Sequence, residues 1–200
     1  MQIILHRRNS IEELASTPEE YGVEIDIRSY GNQLILSHDP YIKGESFETW
    51  IEFYKHGTLI LNTKEEGLEE RILEIMKANS INSFFFLDQS FPFLIKTSDS
   101  GESRSAIRVS EYESISTALS LRGKIEWAWI DYFSKFPLNK ENISTLKEAK
   151  FKTCIVSPEL EGYSKDEVNE LCELLSKQNI SIDAVCTKYP KLWEEYNSYL

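Results

Sequence analysis

Eight short apolar runs, near residues 3, 23, 58, 83, 105, 125, 151 and 182, are each followed by a helix-like stretch, and together they predict an α/β fold. The particular form expected is a compact (βα)8 barrel of the TIM type. Two further observations support it. The runs are nearly continuous in apolar residues, as strands buried on both faces require. Polar residues fall just past their ends, where a barrel gathers them at one mouth. Two hundred residues lie near the lower size bound for such a barrel. A doubly wound open sheet is the alternative, but neither G-x-G-x-x-G nor G-x-x-x-x-G-K-[S/T] occurs to support it.

Taken in order, Gln2 to Leu5 is the first strand, ending at His6-Arg7-Arg8. A short helix is expected from Ile11 to Ser16, interrupted by Pro18 before the strand at Val23. Tyr30-Gly31-Asn32 turns the chain, so Gln33 to Ser37 forms a small hairpin extension after strand two, outside the barrel count. Phe47, Trp50, Ile51 and Tyr54 give Ser46 to His56 an amphipathic helical pattern. Thr58 to Lys64 is a strand and Glu66 to Ala78 a helix, with Glu65-Glu66 and Glu69-Glu70 read as its solvated start and face. Phe84 to Asp88 is a buried strand, followed by a short irregular helix from Phe91 to Thr97.

The second half repeats this order. Ser105 to Val109 is a strand, and Ser110 with Glu113 has capping-box spacing for a helix to Leu121. Lys124 to Asp131 alternates as a strand, in which Trp127 and Trp129 either pack in the barrel, the safer reading, or form a platform for a sugar or base. Asn139 caps a helix to Ala149, and Phe151 to Val156 is the next strand. Ser164 and Glu167 repeat the capping box before a helix to Lys177. Ile182 to Thr187 is the last strand, and a helix runs from Pro190 to Tyr199.

No composition break divides the chain, which reads as one domain over residues 1–200. A formal charge of −11 argues against a nucleic-acid partner, which calls for a basic footprint. The amino terminus lacks a long apolar stretch or a small-residue cleavage site, so neither a signal peptide nor a transmembrane segment is expected. Cys154, Cys172 and Cys186 form an odd, widely spaced set in apolar or helical context, consistent with a reduced, cytoplasmic protein.

The chemistry centres on Gly22 to Arg28. Alternation puts Glu24, Asp26 and Arg28 on one side of the strand and Val23, Ile25 and Ile27 on the other. Two neighbouring carboxylates raise one pKa or recruit a cation, and hard divalent ions prefer such oxygens. The turn brings His38 and Asp39 toward them. His6-Arg7-Arg8 after strand one, Asn62 and Lys64 after strand three, and Asp88 after strand four occupy comparable positions, as do Arg108, Asp131, Glu159 and Lys188 later.

These residues resemble the glycerophosphodiester phosphodiesterase family, within the superfamily that includes phosphatidylinositol-specific phospholipase C. His6-Arg7 looks like the family's His-Arg, Glu24-Ile25-Asp26 like its Glu-x-Asp, and His38-Asp39 like its His-Asp. Asn62-Thr63-Lys64 corresponds to its Glu-x-Lys, and the segment from Ala184 to Pro190 to its terminal strand and proline. Three departures stand out. Arg8 replaces the usual glycine, Asn9 to Tyr21 lacks the Pro-Glu-Asn-Thr stretch, and neutral Asn62 stands where the family has a metal-binding glutamate.

The resemblance implies a metal-dependent phosphodiesterase acting on a small glycerol-like or sugar-linked phosphodiester. His6 and His38 would be the acid-base pair, with Arg7 and Lys64 as phosphate ligands; beyond the resemblance, Arg8 and Arg108 are either further phosphate ligands or salt-bridge partners of the acidic mouth. Glu24, Asp26 and Asn62 would hold a divalent cation, Mg2+ or Ca2+, with Asp39, Asp88 and Asp131 as further ligands or supports. Two other classes share these residues: a barrel that binds a phosphorylated metabolite without turnover, and a lyase that releases a cyclic phosphate.

Overall fold

A computed structural model describes residues 1–198; the expected last helical residue, Tyr199, lies outside them. Contacts divide the chain into two units, one of residues 5–105 and the other of residues 1–4 with those from 106 onward. The amino-terminal strand β1 (Gln2–Leu5) gives most of its length to the latter.

In the unit of residues 5–105, helix α1 (Ile11–Ala15) opens on a complete capping box in which Ser10 and Glu13 satisfy each other's backbone donors. Strand β2 (Gly22–Tyr30) pairs antiparallel with β3 (Gln33–Leu36) through a turn in which Gly31 takes a φ of 61°. A two-residue strand β4 (Glu45–Ser46) pairs with β3 and leads into α2 (Phe47–Trp50), capped by Ser46. The expected helix to His56 is cut short. After a 3-10 turn at Ile51–Phe53, Tyr54 becomes extended, stacks on Trp50 at 5.8 Å and donates its hydroxyl to the Gly57 carbonyl.

Strand β5 (Leu59–Thr63) runs parallel to β2 and to β6 (Phe84–Leu87). Helix α3 (Glu69–Ala78) starts at the second of its two acidic pairs rather than at Glu66, after Gly67 at φ 86°. Glu69 is buried and accepts a hydrogen bond from Gln89, while Glu65 accepts from the Ser29 backbone and hydroxyl; neither is a simply solvated charge. Helix α4 (Phe91–Asp99) is regular and longer than expected, with Pro92 in its first turn, where no donor is lost. Val23, Ile25 and Ile27 pack with Leu59, Leu61, Phe84 and Phe86 against Trp50, Ile72 and Met76. Each such apolar side chain contributes about 1.5–3 kcal/mol relative to exposure. The same alternation commits Glu24, Asp26 and Asn62 to the opposite face, where Asp26 is in register with Asn62.

The other unit contains β7 (Ala106–Val109), α5 (Ile115–Ser120), β8 (Trp127–Ile130), α6 (Lys140–Glu148), β9 (Lys152–Val156), α7 (Lys165–Lys177), β10 (Ala184–Thr187) and α8 (Pro190–Ser198). β7, β8, β9 and β10 are consecutive parallel neighbours, with β1 beside β10. The capping boxes at Asn139 and Ser164 open α6 and α7. Ser110 bonds Glu113, but in a turn; Ser114 caps α5 instead. Cys154, Cys172 and Cys186 are free thiols. No helix among the described residues is long and apolar enough to cross a membrane.

Candidate functional site

Glu24 and Asp26 are each 1% exposed, so their charges are compensated by protein groups rather than water. Arg7 has a φ of 51° and directs its backbone N–H to Glu24 Oε2 at 2.8 Å. The left-handed residue of this turn is thus Arg7, not Arg8, which stands where the resembled family has glycine. The next residue keeps the chain attached, since Arg8 N donates to the Glu24 carbonyl at 2.9 Å. Asn62 Nδ2 donates to Glu24 Oε1 at 3.0 Å, and His6 Nε2 lies 3.8 Å from Oε2.

Asp26 is held from three directions. Asn9 Nδ2 donates to its Oδ2 at 2.9 Å while the Asp26 backbone N–H donates to Asn9 Oδ1 at 2.9 Å. Arg7 Nε lies 3.5 Å from Oδ2, and Lys64 Nζ lies 3.2 Å from Oδ1 and 3.4 Å from Asp88 Oδ2. Burial, with the neighbouring Asp26 charge, pushes Glu24 from an ordinary value of 4.5 up to about 7, against the opposing pull of Arg7 N–H, Asn62 and Lys64.

His38 follows β3, where Ser37 N donates to the Asp26 carbonyl at 3.0 Å. Its Nδ1 lies 2.8 Å from Asp39 Oδ1, close enough for the ring N–H to donate to that carboxylate and fix the imidazole's orientation. Arg28 grips the His38 carbonyl through Nε at 3.1 Å and NH2 at 3.0 Å, and its other side meets Glu65 at 3.5 Å. This links the imidazole's backbone to the strand that bears both carboxylates.

Contacts thus connect His6, Arg7, Glu24, Asp26, Asn62, Lys64 and Asp88, all within the unit of residues 5–105. His38 and Asp39 pair with each other beside this cluster in the same unit. Arg108 and Asp131 belong to the other unit, where Arg108 donates to Asp131 and Trp129 Nε1 donates to the same carboxylate at 2.9 Å. Glu159 is likewise engaged, accepting from Ser157, Thr187 and the Lys188 backbone. Asn9 has no place in the sequence reading, which puts Arg28 on the carboxylate face without a role. An asparagine three residues past His6 was the available signal for the first, and the shared strand face with Asp26 for the second.

A divalent ion is a poor fit to this donor set. Among the described residues no three His, Cys, Asp or Glu side chains group to hold a metal. Three of the four oxygens of Glu24 and Asp26 accept a hydrogen bond from a protein donor, and the fourth, Asp26 Oδ1, has no hydrogen bond but faces the Lys64 ammonium at 3.2 Å. Asn62 Oδ1 is buried without a hydrogen bond, so it is an uncommitted oxygen. A hard cation takes six or more ligands, and waters would have to supply most of them.

The class defined is an α/β fold with parallel strands and a carboxylate-cation cluster at strand ends. Among solved structures the chain is similar to a glycerophosphodiester phosphodiesterase from Agrobacterium tumefaciens str. C58, at TM-score 0.68 and 13% identity over 98% of this chain and 99% of that one. It is also similar to a glycerophosphoryl diester phosphodiesterase from Parabacteroides distasonis, at TM-score 0.69 and 16% identity over 99% and 86%. A tryptophan synthase α-subunit mutant from Pyrococcus furiosus matches at TM-score 0.58 and 12% identity over 100% and 94%. The fold is therefore glycerophosphodiester phosphodiesterase-like. No family model and no curated protein sequence matches the chain.

Proposed function

We propose that the chain is a phosphodiesterase on a closed (βα)8 frame, acting on a small glycerol-like or sugar-linked phosphodiester. The eight βα units and the shared fold support the frame. The observation that carries the chemistry is the clustering of His6, Arg7 and Lys64 around two buried carboxylates, with an Asp39-oriented imidazole just past the adjoining strand.

In this reading His38 is the general base. Asp39 holds the Nδ1 proton, and Nε2 takes a proton from the attacking hydroxyl, either water or a hydroxyl of the substrate itself. The new oxygen–phosphorus bond forms as the bond to the departing alcohol breaks. His6, whose Nε2 lies 3.8 Å from Glu24 Oε2, returns a proton to that alcohol. Arg7 and Lys64 stabilise charge on the non-bridging phosphoryl oxygens. Attack by a neighbouring substrate hydroxyl yields a cyclic phosphate, and attack by water yields a monoester.

A panel of glycerol and sugar phosphodiesters followed by phosphorus NMR tests this. Wild type should convert at least one compound, with His6→Asn and His38→Asn each slower by about 10²–10⁴-fold and still folded. Wild-type turnover in both variants would reject the two-histidine scheme. Binding without turnover by wild type would favour a phosphorylated-metabolite-binding barrel, and a persistent cyclic product would favour a lyase.

A further inference from the structure

The substitution that separates this chain from the family it resembles also changes the sign of what Asn62 offers Glu24. A glutamate there would add a third carboxylate and call for an added cation. Asn62 instead supplies a hydrogen-bond donor, at 3.0 Å from Glu24 Oε1. We propose that this site holds the phosphate of its ligand without a divalent cation, the positive charge being built in as Lys64 and Arg7. The inference rests on the phosphodiester reading and names the source of its electrostatic stabilisation.

Three features argue for it. First, both Glu24 oxygens already accept a hydrogen bond, Oε2 from the Arg7 N–H and Oε1 from the Asn62 amide, so an ion there would have to displace or share these donors. Second, Asp26 carries Asn9 on one oxygen and Lys64 on the other, with the Arg7 guanidinium at 3.5 Å. A divalent ion entering between the carboxylates would have to displace the ammonium or sit beside it, and like charges a few ångströms apart in a buried setting repel strongly. Third, Lys64 bridges Asp26 and Asp88 and is only 16% exposed, so its charge is held at the cluster rather than swinging in solvent. An arriving phosphate competes with Asp88, the more exposed of those carboxylates, for the same ammonium. The uncommitted Asn62 Oδ1 is one ligand toward a metal, and a neutral one.

The test titrates magnesium, calcium and manganese calorimetrically into the whole chain, then titrates inorganic phosphate and glycerol phosphate with EDTA and with magnesium. The expected result is no saturable cation binding, and equal phosphate affinity in EDTA and magnesium. Lys64→Met should lower phosphate affinity by about tenfold or more, the loss of one charge-assisted hydrogen bond. Asn62→Glu should create saturable cation binding that a further Glu24→Gln removes. Saturable cation binding by wild type that Glu24→Gln abolishes, or phosphate binding that EDTA abolishes, overturns the inference while leaving the phosphodiester reading intact. If neither phosphate compound binds in either condition, the phosphodiester reading falls and takes this inference with it. The EDTA comparison uses wild type alone, so a variant that fails to fold does not remove the test.

Discussion

Asn9 and Asp26 clasp each other by two reciprocal hydrogen bonds of 2.9 Å, one from the Asn9 amide to the carboxylate and one from the Asp26 backbone to the Asn9 carbonyl oxygen. The pair ties the turn after β1 to the strand that bears both buried acids. Removing the amide leaves a buried carboxylate short of a donor and a backbone N–H short of an acceptor. Asn9→Ala should therefore lower unfolding free energy by about 1–3 kcal/mol, read from denaturant midpoints at constant m-value. Asn9→Asp should cost more at neutral pH than under mild acid, because it sets a like charge beside Asp26. An Asn9→Ala protein as stable as wild type would show that the clasp is dispensable.

Glu24 predicts an unusual pH dependence. Its carboxyl is raised in the folded chain from 4.5 to about 7, so between those values the folded protein binds the extra proton. Stability is then fully present below pH 4.5 and falls as pH rises through 7, by about 3 kcal/mol in all for this group. The direction is opposite to that of a salt-bridged carboxylate with a lowered pKa. Glu24→Gln should flatten this part of the stability profile, measured by urea unfolding across the window. A wild-type profile that rises over the same range, and is unchanged by Glu24→Gln, would contradict the assignment.

Arg7 supplies its N–H to Glu24 only because it adopts a left-handed φ of 51°, which an L side chain disfavours. Comparing Arg7→Gly with Arg7→Ala isolates this cost, since both remove the guanidinium. The glycine variant should be more stable than the alanine one by about 1 kcal/mol. Equal stabilities would mean that the left-handed conformation is not retained once the side chain is gone.

What the sequence made legible follows from range of interaction. Alternation in Val23 to Ile27 was enough to separate core from site residues, and the reciprocal capping at Ser164 and Glu167 is a local event four residues long. Asn62 was visible as a departure, but not that its amide would turn toward Glu24, a partner 38 positions away. The helix after Ser46 looked longer because its apolar spacing continues to Tyr54. Its end is decided by Tyr54 reaching the Gly57 carbonyl, which periodicity does not encode. The Ser110–Glu113 spacing produced the hydrogen bonds of a capping box without the helix, because the same pair also closes a turn. Asn9 looked like loop composition for the same reason that Arg28 looked like a face residue. Their value lies in what the fold brings to them.

Gly44 offers the last test, at the far end of the loop that carries His38 and Asp39. A Cβ built on Gly44 would lie 2.0 Å from the carbonyl oxygen of Leu36 and 2.7 Å from its carbon, both backbone atoms of β3. The chain leaving His38 therefore returns against the strand it came from, and only a residue without a side chain allows that approach. The loop is also held from within, by Ser37 donating to the Asp39 carbonyl at 2.9 Å and by the Arg28 grip on His38. Gly44→Ala cannot be accommodated by rotating a side chain; either β3 or the loop must move. It should destabilise the protein by about 3 kcal/mol or more and displace the imidazole resonances of His38 in the molecules that still fold. If the phosphodiesterase reading holds, turnover should fall in parallel with the His38 displacement while His6 resonances stay near their wild-type positions. An alanine variant with wild-type stability and an unmoved His38 spectrum would show that the loop does not close on Leu36 in solution.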